Sequence, residues 1–572
     1  MREELYITDK NAILNYSAAF YQNAEELLNG EGFRLFMENY LKNLAIRDIK
    51  VFSWLTKGRS MEDMIPELIL VTKQLLVLDV DEIYSTLLFS PNRLKALYIV
   101  EDAYNYWRRK ERFAIVNSTS SNSLAFNSFI DADTRYNWII LQIYRTCEEK
   151  LQGRKNRIYR QLQAGTNACA VLQTYRWKTF PGYGVLKSIP FITTVMLRTP
   201  ILLHTVSNKR EGFFEEVDYN PIRNCSVNQK DWLCYPIKVG RMLCYVYFHR
   251  DFISSAISLS NLFEIATEEE CLKNQPDLIV LFGNRDHKDA CVFNYDSEND
   301  VWVGSVSYSS KIEYFGYLKK MILTLHNVRA MQHGSLPLHG SMIDIFFKNN
   351  QRKTMIMIGD SGAGKSETIE AIKTLNQDII GDLKISRMDV VFDDMGSMYI
   401  EQDGHVYASG TEIGAFVRLD DLAKGTAYRD MERTIFFNPE SSVNARLVSS
   451  ISSYEMVSSH HPIDMVLYAN NYDDKVGVHR FATYKEAKKV FIEGKRMAMG
   501  TTQENGLSST FFANPFGPMQ QPKICERIMD DVFAQLYRDD VYVGEIYTNL
   551  GSGHKDKLAE SSRQLLEILH NL

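Results

Sequence analysis

Residues Gly359–Ser366 read GDSGAGKS, and the pattern G-x-x-x-x-G-K-S decides the fold of the segment around it. Such a stretch bends the backbone so that successive N–H groups point into one cavity. That cavity, the positive end of a following helix and the Lys365 ammonium together hold a polyphosphate. The flanks agree: Thr354–Ile358 (TMIMI) is a short apolar run with strand character, and Ser366–Leu375 (SETIEAIKTL) has helical apolar spacing. Strand, glycine-rich loop and helix predict a mixed α/β domain. Its phosphate contacts are expected from Gly359, Asp360, Ser361, Gly362, Ala363, Gly364, Lys365, Ser366 and Glu367. Asp360 is unusual, because a carboxylate inside an anion cradle must turn away from the phosphates or act on something.

Outward from the loop, 572 residues are too many for one core, so about two or three domains are expected. A net charge of −6 with no basic tail argues against a nucleic-acid partner. The eight cysteines run from Cys147 to Cys525 without a C-x-x-C pair, which disfavours disulfide scaffolds and zinc ribbons and favours a reducing compartment. MREELYITDK has no apolar run of the secretory kind. The longest apolar stretch, Val185–His204, is interrupted by Lys187, Pro190, Arg198 and Pro200, so no membrane partner is expected. A cytoplasmic location follows.

Residues 1–150 read as a helical N-terminal region, with apolar spacing of three and four at Phe33–Leu44, Glu67–Phe89 and Tyr136–Leu151. Asn117–Ser123 (NSTSSNS) is a candidate boundary within it. Residues 151–310 change to short β-branched and aromatic runs such as Phe191–Met196, Leu243–Phe248, Leu278–Phe282 and Val301–Val306, a mixed α/β domain of substrate-binding type. Residues 311–572 are expected to form a third domain around the phosphate loop, closing in a helical tail from Lys557.

Three further segments carry chemistry: Tyr314–Lys320 (YFGYLKK), Leu336–Ser341 (LPLHGS) and Asp389–Gly396 (DVVFDDMG). An aspartate at a strand end beyond a phosphate loop is where a nucleotide-associated metal is gripped. Asp394 is that candidate, with Asp382 competing for the role. Read singly, the lysine pair fits a solvated surface as well, and His339 fits a structural role.

In that order, lysine pair, histidine, phosphate loop and aspartate pair resemble the phosphoenolpyruvate carboxykinases, over about residues 310–520. The resemblance implies interconversion of oxaloacetate with phosphoenolpyruvate and CO2, a reaction of gluconeogenesis, at the expense of a phosphoryl donor. It implies Mn2+ held by Lys320, His339 and Asp394, and a second cation, Mg2+, at Ser366. It makes Lys319, Lys320, Lys365 and Arg446 catalytic, the last from Asn444-Ala445-Arg446, which looks like the family's phosphoryl-contacting segment. A ligating lysine must be neutral, so Lys320 needs a lowered pKa, while Lys319 stays charged.

Departures from the family pattern concern substrate and donor. No G-R-S-P substrate loop is present, and the nearest basic candidates are Arg198 in LRTP and Arg210 in SNKREG. Gly500–Gly517 resembles the lid of ATP-type members, but Gln503-Glu504-Asn505 follow Gly500-Thr501-Thr502 where an arginine is usual. Phe511, Phe512 and Phe516 are candidates to line a slot for the base of ATP or GTP. The helical N-terminus and Tyr159–Ala168 look more like the pyrophosphate-dependent branch. A nucleoside triphosphate is the expected donor and pyrophosphate the alternative. GDSGAGKSE also resembles the loop of HPr kinase, which leaves a protein or small-molecule kinase as a second reading. A non-catalytic nucleotide-binding regulator is a third.

Overall fold

A run that is apolar at every position needs cover on both faces. In the computed structural model the Arg352–Ile358 strand, which contains TMIMI, lies inside a nine-stranded sheet. It pairs antiparallel with Leu336–Phe347 and parallel with Met465–Asn470. Met465–Asn470 continues to Tyr542–Tyr547, and Leu336–Phe347 also pairs with Ile385–Phe392 and Met395–Ile400. The structure describes residues 3–83, 93–118, 124–160, 162–212, 214–223, 225–286, 291–419, 431–441, 443–499, 505–550 and 555–572. Residues 84–89 of the long expected helix, 119–123 of the Ser/Asn stretch, Gln161 and residues 500–504 of the lid lie outside the described residues.

The chain forms two units. The first comprises Met1–Thr174, Pro190–Arg198 and Gln229–Asp231, and the second comprises Tyr175–Ile189, Thr199–Asn228 and Trp232–Leu572. In the first, the expected helices appear as Glu31–Arg47, Met61–Val77 and Leu124–Gln152, with Arg93–Arg109 beside them. Between them run strands that helical periodicity does not announce. Leu5–Ile7, Asn11–Asn15, Glu111–Asn117, Ala168–Gln173 and Phe191–Leu197 lie side by side in that order.

In the second unit, a mixed sheet orders Trp232–Val239, Met242–His249, Leu278–Asn284, Val301–Ser307 and Cys291–Asp296. A four-stranded sheet orders Gly414–Arg418, Arg446–Ser450, Ile435–Phe437 and Ile201–Leu203. Helix Gly316–Gln332 is buried at nearly every position although it carries Lys319, Lys320, His326, Asn327 and Arg329. Its first turn carries Lys319 and Lys320. Among the described residues no helix is long and apolar enough to cross a membrane.

Candidate active site

The phosphate loop starts where the Arg352–Ile358 strand ends and runs into helix Lys365–Leu375. Gly362 and Gly364 take φ of 80° and 103°, a conformation strained for any side chain. Gly364 is doubly constrained: a Cβ there would come 2.6 Å from the Cβ of Thr548, whose hydroxyl donates to the Ala363 carbonyl at 2.8 Å. The Lys365 Nζ is buried and donates to the Gly359 carbonyl at 2.6 Å and the Asp360 carbonyl at 3.1 Å. Burial lowers its pKa, against the pull of Asp360, Asp394 and Asp393. Ser366 is exposed on the first turn and Glu367 is half-buried behind it.

Sheet register brings the other chemical residues to this loop. The Leu336–Phe347 strand sets Gly340 opposite Ile358 and His339 opposite Met395. The Gly359 N–H donates to the His339 carbonyl at 3.1 Å, and the Gly340 N–H to the Asp394 carbonyl at 2.9 Å. One strand therefore clamps the loop and the aspartate pair on either side of His339. Gly340 permits it, since a Cβ there would lie 2.3 Å from the Met357 carbonyl oxygen.

Asp394 is the hub. Its Oδ2 accepts from the Lys319 Nζ at 2.5 Å and the Lys320 Nζ at 3.0 Å, and its Oδ1 lies 3.0 Å from His339 Nε2. His339 Nδ1 faces the Ala513 carbonyl at 2.9 Å. A carbonyl only accepts, so Nδ1 donates to it, and Nε2 is the ring nitrogen that faces Asp394. Glu412 is wholly buried, 3.2 Å from the Lys319 Nζ. Asp382 is exposed in the turn before the Ile385–Phe392 strand.

The two lysines are driven apart. Burial works against the charge of Lys319, but Asp394 and Glu412 outweigh it and raise its pKa. For Lys320 burial prevails, helped by the neighbouring Lys319 charge, and its pKa falls. Burial also opposes charge on Asp394, yet Lys319, Lys320 and His339 hold it well below the usual carboxylate range. Burial raises Glu412. It also pushes Asp393 up to about 6, and the Asp393 Oδ1 is buried without a hydrogen-bond partner.

Among the described residues no three His, Cys, Asp or Glu side chains gather as a metal site. Lys320 completes a set with His339 and Asp394. Two nitrogen donors and one carboxylate suit a divalent transition metal such as Mn2+ better than Mg2+. The lowered lysine and the His339 Nε2 turned to Asp394 fit such a group.

The arginines divide. Arg446 donates from Nε to Asn444 Oδ1 at 2.9 Å and lies over the Phe416 ring at 5.2 Å; the Lys319 Nζ lies 5.8 Å from the same ring. Arg210 lies over Phe516 at 5.5 Å, and Lys320 over that ring at 4.5 Å. Both arginines thus share an aromatic ring with a lysine of the cluster. Arg198 belongs to the first unit, where it pairs with the buried Asp133 at 2.6 Å. Of the three candidate slot aromatics, Phe512 is fully buried, Phe516 packs with the cations and Phe511 is half-buried.

Sequence reading passed over Glu412, Arg496 and the Ala513 carbonyl. The carbonyl depends on two consecutive left-handed residues, Phe512 at φ 52° and Ala513 at φ 48°, which no glycine advertises. Arg496 stands on a hairpin of Lys495–Met499 with Asn505–Ser509. It lies 3.0 Å from Asp360 Oδ2 and donates to the Ser361 carbonyl at 2.7 Å. Asp360 also accepts from the Ser361 N–H at 2.7 Å, so its charge is engaged by the hairpin arginine and the loop. Arg496→Ala should release that carboxylate toward the cradle and raise the donor KM about tenfold, for the loss of a charge-assisted contact. Steady-state kinetics with an unchanged donor KM would contradict this role.

No curated protein matches the chain. The model of the phosphoenolpyruvate carboxykinase family matches residues 234–571, more than half of the chain and including every residue of the Lys319, Lys320, His339, Lys365 and Asp394 group. The chain belongs to the phosphoenolpyruvate carboxykinase family.

Proposed function

We propose that the protein interconverts oxaloacetate with phosphoenolpyruvate and CO2, using a nucleoside triphosphate as phosphoryl donor. The observation that carries this reading is the convergence of Lys319, Lys320 and His339 on Asp394 at the mouth of the phosphate loop. A simple kinase needs the loop and an acidic residue but not a buried and a half-buried lysine of opposite pKa displacement. Asp360, the residue a kinase would use, is engaged by Arg496. The family model that matches is the one for ATP-type members, which supports ATP over pyrophosphate.

Lys320, His339 and Asp394 would hold Mn2+, and Ser366, with the Asp393 carboxylate near Lys365, would serve a second cation, Mg2+. When bound, the first cation supplies Lewis-acid stabilisation for the negative oxygen that develops as CO2 leaves. The chain's residues do the rest. Lys319, kept charged by Asp394 and Glu412, provides a fixed positive centre beside the developing enolate. Arg210, over the same ring as Lys320, is suited to a substrate carboxylate. Lys365 exchanges its two loop carbonyls for donor phosphate oxygens. Arg446 balances charge on the phosphoryl group in flight. The paired strands Lys495–Met499 and Asn505–Ser509, fastened to the loop through Arg496, would help exclude water.

The donor is decided by incubating protein, oxaloacetate and Mn2+ with ATP, GTP and pyrophosphate in parallel. Phosphoenolpyruvate should form with ATP at the highest kcat/KM. Turnover with pyrophosphate alone would transfer the protein to the pyrophosphate-dependent reaction, and equal thermal stabilisation by pyrophosphate and ATP would say that the base contributes nothing.

A further inference from the structure

The first unit contains a cavity of about 170 Å³ among its helices and strands. It is bordered by Glu31–Arg47, Met61–Val77, Arg93–Arg109 and Leu124–Gln152 and by the short strands Leu5–Ile7 and Asn11–Asn15. Its wall is made of core side chains such as Leu14, Met37, Val71, Leu75, Ile99 and Trp107, all buried. Close-packed interiors seldom keep such a space, and an apolar cavity of about 150 Å³ stays dry and takes up benzene.

Most polar atoms of the wall are already committed. The Tyr21 hydroxyl donates to Glu4 at 2.6 Å, Tyr16 to Asp133 at 2.8 Å, Tyr40 to Asp102 at 3.0 Å and Tyr144 to Glu101 at 2.9 Å. The Trp107 indole N–H donates to the Ala164 carbonyl at 2.7 Å. Glu4, the one carboxylate on the wall, also accepts from the Gly32 N–H at 2.8 Å. The wall has no lysine, arginine or histidine among the described residues, so it has nothing for a phosphate or carboxylate. Cys147 borders the space, and burial pushes its thiol up to about 12, which excludes a thiolate. Apart from the Tyr136 hydroxyl, what remains is mainly ring faces and aliphatic carbon.

We infer that this cavity is a binding site for an uncharged, apolar small molecule of about one or two rings, separate from the phosphate-loop site. It stands independently of the carboxykinase reading, because every residue it uses lies in the first unit. The test measures thermal unfolding of the full chain with toluene, indole, benzoate and benzylammonium. Toluene and indole should raise Tm by about 2 °C or more, the size expected of a ligand that binds only the folded state. The two charged analogues should not. Val71→Leu, which moves a methyl group into the space, should cut the shift by at least about half. If Val71→Leu does not fold, Ala96→Leu is read in the same way. Quenching of Trp107 emission by iodobenzene, absent in Trp107→Phe, then places the ligand. No shift with either uncharged probe, an equal shift with benzoate, or a full shift in the filled variant would overturn the site.

Discussion

Lys365→Ala should lower kcat/KM for every phosphoryl donor by at least about a hundredfold while the protein stays folded. The ammonium makes charge-assisted hydrogen bonds to phosphate oxygens, each worth about 1.5–3 kcal/mol, and 3 kcal/mol is already more than a hundredfold. In the donor-free protein the same Nζ satisfies the Gly359 and Asp360 carbonyls. Its removal therefore loosens the loop as well as removing a charge, and donor binding should fail before the sheet does. The strand beneath is held by the ladders to Leu336–Phe347 and Met465–Asn470, which do not involve Lys365. Isothermal titration with ATP and a melting curve separate the two effects. A variant that binds ATP normally would make the loop structural.

Asp394→Asn should be the more damaging change. Its carboxylate is shared by Lys319, Lys320 and His339, and Lys319 has no exposure through which to find water. An amide of the same shape leaves the buried Lys319 ammonium with Glu412 alone. Breaking one side of a buried ion pair costs about 3–5 kcal/mol. The same change removes the only carboxylate from the set with Lys320 and His339, so Mn2+ affinity should fall by about a hundredfold or more. Activity should fall by about a thousandfold or more. Manganese titration followed by electron paramagnetic resonance reads the cation directly, without turnover. Native Mn2+ affinity in Asp394→Asn would remove Asp394 from the site.

What the sequence makes legible depends on how local the cause is. GDSGAGKS specifies its own turn, and TMIMI before it can only be a covered strand. The loop, its strand and its helix are accordingly all found within two residues of their expected bounds. The runs at Leu243–Phe248, Leu278–Phe282 and Val301–Val306 become strands for the same reason. Nothing near His339, by contrast, says that it faces Asp394. The proximity comes from a 12-residue strand that pairs with both the loop strand and the strand after the aspartates. Only the order of motifs, compared with a family, anticipates it.

Glu412 sits in the plain context TEIG, and its burial against Lys319 is a property of packing. The Ala513 carbonyl is less visible still, because a left-handed Phe512–Ala513 pair has no residue signature. Arg198 shows another contact that sequence does not announce. Beside Pro200 it reads as a substrate candidate, and in the structure its Nε pairs with a buried aspartate 65 positions earlier. In the N-terminal region the three- and four-residue spacing marks the helices, while strands of three and five residues are too short for their alternation to register.

The most direct measurement follows both halves of the reaction at once. Oxaloacetate labelled in the departing carboxylate is mixed with ATP labelled in its γ-phosphoryl group, Mn2+ and the purified protein, with GTP and pyrophosphate as parallel donors. The account predicts labelled CO2 and labelled phosphoenolpyruvate in a one-to-one ratio, with ATP the best donor, and both lost together in Lys365→Ala. Release of CO2 without phosphoenolpyruvate from any of the three donors would contradict it.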